Sequence, residues 1–137
     1  VDPVVRGRFS IGREQRVITA GSCFAQHIAR HLAESGFNYF VTETLHPFIP
    51  AHLAGDYDYG VYTARYGNIY TARQFLQLLQ RAYGAFAPVD DVWVDGRGRL
   101  FDPFRPTIQP DGFASPREYG LDRAQHFATV RMGGGTI

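Results

Sequence analysis

Arg16-Val17-Ile18-Thr19-Ala20-Gly21-Ser22-Cys23-Phe24-Ala25 is the stretch on which the fold turns. Residues 16–20 form a short β-branched run that reads as a buried strand, and Gly21 permits a sharp turn after it. From residue 22 to residue 35 the apolar period lengthens to that of a helix. Phe24, Ile28 and Leu32 recur every four residues beside Ala25, Ala29 and Ala33, with Gln26, Arg30 and Glu34 on the opposite face. Gly36 is a good stop, and residues 37–41 read as a second strand. Strand, glycine turn, helix, glycine and strand make a βαβ unit, whose two strands are expected to be parallel.

Working outward, residues 1–15 are polar and punctuated by Pro and Gly, an N-terminal arm. Residues 42–66 are long and irregular, carrying Pro47, Pro50, Gly55 and Gly60; loops of this length are uncommon unless functional. Five of the eight tyrosines fall between Tyr57 and Tyr70, either covering the core beneath the loop or facing a ligand. Thr71 opens a helix in which Gln74 completes a capping box and Tyr70 faces Phe75 as a hydrophobic staple. Ala72, Phe75, Leu76, Leu79 and Tyr83 are its expected buried stripe, and Gly84 ends it. Residues 92–94 and 100–101, joined through Gly96-Arg97-Gly98, read as a β-hairpin. Ser115-Pro116-Arg117-Glu118 starts a last helix running to about Arg131, buried through Leu121, Ala124, Phe127 and Val130. Residues 132–137 are a glycine-rich tail.

Composition bounds the function. About a quarter of the 137 residues are Leu, Ile, Val or Phe, above the roughly 20% below which chains tend to stay disordered. All 14 basic residues are arginine, scattered rather than massed, against 13 acidic ones. That balance argues against nucleic acid as a partner. No apolar run approaches the ~18 residues of a membrane span, and no signal-peptide pattern appears, so no membrane partner and a cytoplasmic location are expected. One cysteine cannot make an internal disulfide.

Chemistry concentrates at Ser22 and Cys23, where a strand meets a helix N-terminus. Unpaired amides at that end favour an anion. A thiolate is stabilised there, and the same amides suit the oxyanion of an acyl-transfer intermediate. Buried Cys and capping Ser are equally good structural explanations of the pair. His27 lies one helical turn after Cys23, and His31 one turn further. Their spacing would suit a metal, but no zinc-protease glutamate and no third ligand accompany them, so neither metal nor cofactor is expected.

Gly21-Ser22-Cys23-Phe24-Ala25 reads GSCFA, and the chain resembles the GSCFA family at that motif. It does so again at Tyr66-Gly67-Asn68-Ile69-Tyr70-Thr71-Ala72-Arg73 and at Asp102-Pro103-Phe104-Arg105-Pro106. The family looks like a branch of the SGNH/GDSL hydrolase superfamily, so the resemblance implies an α/β fold with a flavodoxin-like, three-layer parallel sheet, to which the hairpin is an addition. Laid on the superfamily's Gly-Asp-Ser-Leu turn, Gly21 matches the Gly, Ser22 the Asp and Cys23 the nucleophilic Ser. The resemblance thus implies that Cys23 is a nucleophile with its own N–H in the oxyanion hole, Ser22 being the reserve. The superfamily's further oxyanion donors, a Gly N–H and an Asn side chain, find a counterpart in Gly67 and Asn68, although Asn68 also suits the turn before Thr71. The superfamily's Asp-x-x-His base has no match, since Asp122 stands four residues before His126. The resemblance spans about residues 16–131. It places the family's domain beyond Ile137, so these residues are expected to be its N-terminal part, with an unpaired sheet edge favouring self-association and with Ile18 and Val41 partly exposed where nothing covers them.

The implied function is hydrolysis or transfer of an ester or acyl group, with Cys23, Ser22 and His27 as catalytic candidates. A small ester, acyl or carbohydrate compound is the substrate. Gly21, Gly67, Asn68 and Arg105 are the candidates for oxyanion and substrate binding. The rivals are a non-catalytic module holding a carbohydrate or anionic ligand with the tyrosines and Arg105, and an inactive fragment.

Overall fold

A computed structural model describes residue 7 and residues 9–134. Three helices and one two-stranded antiparallel hairpin are its regular elements: α1 (Cys23–Glu34), α2 (Ala72–Ala82), β1 (Trp93–Val94), β2 (Leu100–Phe101) and α3 (Pro116–Gly134). Short 3-10 turns at Ala51–Leu53 and Gly55–Tyr57 interrupt the long connection after α1.

The βαβ expectation is met in direction but not in extent. Val17 and Tyr39 form one isolated parallel bridge, closed by Val17 N–H to Asn38 O and Phe40 N–H to Val17 O, each 2.9 Å. No parallel sheet exists among the described residues, where the one sheet is the β1–β2 hairpin. The reason lies in the backbone partners. Past Val17 the ladder gives way to side chains, as Thr19 N–H donates to Thr63 Oγ1 and Thr19 O accepts from the Tyr66 hydroxyl. Ile18 is 41% exposed and Val41 half-buried, the partial exposure expected where no further strand covers the pair.

The core forms instead around residues 62–67, a buried run inside what the sequence presents as a loop. Tyr62, Ala64 and Tyr66 pack with Leu78, Ala82 and Val130. Tyrosines 62 and 66 therefore cover the core, their ring centroids 5.5 Å apart. The β-branched and aromatic residues Val61, Tyr62, Thr63 and Tyr66 between Gly60 and Gly67 have strand character, and were the available signal.

Each helix buries only part of the stripe that its apolar periodicity marks: Ala25, Ala29, Leu79, Phe127 and Val130 face the core as expected, while larger members of the same stripes stay outside. In α1 Ala29 is buried while Phe24 and Ile28 are 76% and 54% exposed. In α2 Leu78, Arg81 and Ala82 are buried, and Phe75, Leu76 and Tyr83 lie outside. In α3 Tyr119, His126, Thr129 and Val130 are buried, and Leu121 is exposed. The caps hold. Thr71 Oγ1 accepts from Gln74 N–H at 3.1 Å, and Gln74 Oε1 reaches back to Tyr70 N–H at 2.9 Å. Ser115 Oγ accepts from Glu118 N–H at 3.2 Å, and Glu118 Oε2 from Ala114 N–H at 2.8 Å. Tyr70 itself is exposed, so the staple buries little.

The hairpin pairs Trp93 with Phe101 and Val94 with Leu100, and Leu100 also bridges Phe113. That third contact requires Gly112. Its φ is +69°, and a Cβ there would stand 2.7 Å from the Phe101 ring. Gly112→Ala is expected to destabilise the chain by about 2–4 kcal/mol, combining left-handed backbone strain with overpacking. The urea midpoint at constant m measures it, with Gly96→Ala, which meets nothing, as the comparison.

Candidate active site

The turn from strand to α1 is built by close approach. A Cβ on Gly21 would lie 2.9 Å from the Ala25 Cβ, so only glycine lets the chain fold back onto the helix it starts. Ser22 is the N-cap, with Oγ accepting from Phe24 N–H at 3.4 Å. Cys23 is the first helical residue and is exposed. Its amide has no partner among the described residues, as the geometry of a helix's first turn requires.

The second segment docks on this turn directly. Ile69 N–H donates to Gly21 O at 2.8 Å, bringing residues 67–69 against the Gly21 turn. Gly67 makes the approach possible, with a φ of +67° that favours glycine. Asn68 is exposed at the protein surface, and its Oδ1 accepts from the Tyr62 hydroxyl. Its Nδ2 has no partner among the described residues. One backbone hydrogen bond thus joins the turn of Gly21, Ser22 and Cys23 to the segment of Gly67 and Asn68.

Tyr62 and Gln26 belong to the same constellation, and sequence reasoning missed both. Gln26 Nε2 donates to the Tyr62 hydroxyl at 2.9 Å. Burial raises the Tyr62 hydroxyl above the ordinary tyrosine value and the Gln26 bond opposes this, while negative charge at Cys23 and Asp58 adds to the rise. Only the i, i+3 spacing from Cys23 to Gln26 was visible beforehand.

Two candidates lie apart from this arrangement. His27 is exposed on α1 and makes no side-chain hydrogen bond among the described residues, so nothing there orients its imidazole. Arg105, expected to face a ligand, is instead 2% exposed. Its Nε bonds Asp102 Oδ2 and its Nη2 bonds Asp122 Oδ2, both at 2.8 Å. A guanidinium carries a fixed fork of donors, and two carboxylates, the buried Asp102 and the half-buried Asp122, occupy this one.

Arg105 belongs to a network of buried and half-buried charges. Asp122 Oδ1 also accepts from Arg65 Nη1 at 2.8 Å, while Arg65 Nη2 donates to Ile108 O and Nε to Tyr57 O, each at 2.7 Å. Glu43 Oε2 accepts from Arg65 N–H at 2.8 Å and lies 3.0 Å from His126 Nδ1. His126 is 1% exposed, and its Nε2 is unpartnered among the described residues. Burial holds this imidazole below the ordinary histidine value; the Glu43 hydrogen bond opposes that, and positive Arg105 reinforces it. No group of three His, Cys, Asp or Glu side chains that could hold a metal occurs among the described residues. No described helix is long and apolar enough to cross a membrane.

A family model described as the GSCFA family matches residues 16–108. No curated protein and no solved structure matches the chain.

Proposed function

The chain belongs to the GSCFA family, whose model spans more than half of it, and from this premise we propose that it carries the nucleophile and oxyanion donors of an ester- or acyl-transfer site. The observation that supports this most is the Ile69 N–H to Gly21 O hydrogen bond, because it ties the segment that carries Asn68 to the turn that opens the helix of the exposed Cys23. Cys23 is the nucleophile. Its own N–H, the Gly67 N–H and Asn68 Nδ2 are the donors for the oxyanion, while Ser22 caps the helix. The finer fold assignment belongs to this proposal too, with the Val17–Tyr39 bridge as the start of an SGNH-like parallel sheet. The substrate is a small ester or acyl compound. Arg105, the cation on which the anionic-ligand reading relied, is enclosed and already paired with Asp102 and Asp122.

The chemistry is a two-step exchange. The Cys23 sulfur bonds the carbonyl carbon as the carbonyl electron pair moves to oxygen. That pair then returns and expels the alkoxide or phenolate, leaving a thioester, and the thiol proton passes to solvent or buffer.

Incubation with p-nitrophenyl acetate tests it. One equivalent of p-nitrophenolate and an acetyl group on the Cys23 peptide are expected, both lost in Cys23→Ala. Sustained turnover is not expected, because no imidazole is hydrogen-bonded to Cys23 or oriented beside it among the described residues. The chain has no lysine to acylate in the background. Acetylation that persists in Cys23→Ala, or an unmodified Cys23, overturns the assignment.

A further inference from the structure

We propose that Tyr62 and Gln26 are positioning residues that hold the Asn68 carboxamide with its N–H groups available to an oxyanion. This rests on the acyl-transfer assignment above and adds the residues that make Asn68 a donor. An exposed Asn amide rotates through a broad, nearly two-fold torsion, so left alone it would offer oxygen about as readily as nitrogen. Oxygen toward a developing anion repels it. Something must fix the flip, and a donor aimed at Oδ1 does so.

The hydrogen bonds supply that donor in a defined order. A tyrosine hydroxyl has one proton. Gln26 Nε2 donates to the Tyr62 oxygen at 2.9 Å, which leaves the Tyr62 proton for Asn68 Oδ1. The Tyr62 ring is 1% exposed and packed against Tyr66, so the hydroxyl is held from below by the core. Gln26 stands three residues after Cys23 on the helix that carries the thiol. The relay therefore runs from α1 through the core to Asn68, and the Ile69 N–H to Gly21 O bond closes the circuit. Hydrogen bonds chained in this way polarise one another, which strengthens donation from Nδ2.

Two reactions of the same sulfur separate positioning from simple folding. Attack on p-nitrophenyl acetate builds an oxyanion at the carbonyl oxygen, whereas alkylation by iodoacetamide displaces iodide and builds none. The ratio of the two rates isolates oxyanion stabilisation from thiol exposure. Asn68→Ala is expected to lower the ratio by about 10²-fold. Tyr62→Phe keeps the buried ring and is expected to lower it about tenfold, the worth of one hydrogen bond. In the Asn68→Ala background Tyr62→Phe should cause no further loss, because it acts through Asn68. Gln26→Ala cuts the relay from the helix without touching the core, and should lower the ratio in the same direction.

A wild-type ratio in Tyr62→Phe and Gln26→Ala, with a lowered one in Asn68→Ala, overturns the positioning role and leaves the acyl-transfer assignment standing. Loss of both rates together in Tyr62→Phe and Gln26→Ala marks damage to the turn and also overturns it. An unchanged ratio in Asn68→Ala, or no acylation of Cys23, overturns both. Should Tyr62→Phe lose its native circular dichroism, Gln26→Ala decides the matter alone.

Discussion

Arg105→Ala is expected to lower unfolding free energy by about 3–5 kcal/mol, a large part of the roughly 5–15 kcal/mol that holds a domain folded. The cost does not come mainly from lost attraction. Removing the guanidinium leaves Asp102 and Asp122 facing each other's surroundings without a shared cation, and Asp102 is as inaccessible as Arg105 itself. Arg81 cannot substitute, being 3.9 Å from Asp102 and stacked on Phe104 at 3.7 Å. Arg105→Lys should recover only part of the loss, since one ammonium cannot span both carboxylates as the guanidinium fork does. Arg97→Ala removes an exposed partner of Asp95 and should leave the urea midpoint nearly unchanged. Equal midpoints for Arg105→Ala and Arg97→Ala would show that the buried network contributes nothing.

Stability is expected to fall with acidification in two stages. Three buried guanidinium groups (Arg65, Arg81, Arg105) are already matched by three carboxylates (the buried Glu43 and Asp102 and the half-buried Asp122), so a proton on His126 would be an unmatched buried charge. The folded imidazole is held below its ordinary 6.5 by burial. The unfolded chain thus binds a proton that the folded one refuses, and stability, complete above about pH 6.5, is lost as pH drops below it. Burial alone would raise Glu43. Hydrogen bonds from His126 and the Arg65 amide, with the nearby Arg105 charge, reverse this and hold the carboxyl below 4.5. Its contribution is present above that value and is lost on further acidification. His126→Gln keeps an amide donor near Glu43 and cannot titrate there. Urea midpoints from about pH 7.5 to about pH 5 should then slope less steeply than in the parent chain. An identical slope would mean that some other group governs the first stage.

Close approach on α1 and buried polar groups on α3 add inward positions that apolar periodicity does not mark. Ala25 lets α1 pack against the core cluster that holds Tyr62, and a bulky Phe24 or Ile28 stripe on that side would hold it off. In α3 the inward positions are Tyr119, His126 and Thr129, polar groups that periodicity assigns to solvent because their partners lie far away in sequence. Glu43 is 83 residues from His126, and Arg65 is 57 from Asp122. No window of local sequence contains such a pair.

The sequence by itself determined the local events: the helix starts at Ser22, Thr71 and Ser115, the glycine turns, the hairpin, the parallel sense of residues 17 and 39, and the family through Gly21-Ser22-Cys23-Phe24-Ala25. These depend on neighbours within a few residues, where propensity and capping act. Which helix faces turn inward, the burial of residues 62–67, the enclosure of Arg105 and the meeting of Asn68 with the Cys23 turn were decided only by the tertiary structure. Each of those depends on partners tens of residues apart, and a buried charge or hydroxyl becomes favourable only once its distant partner is in place.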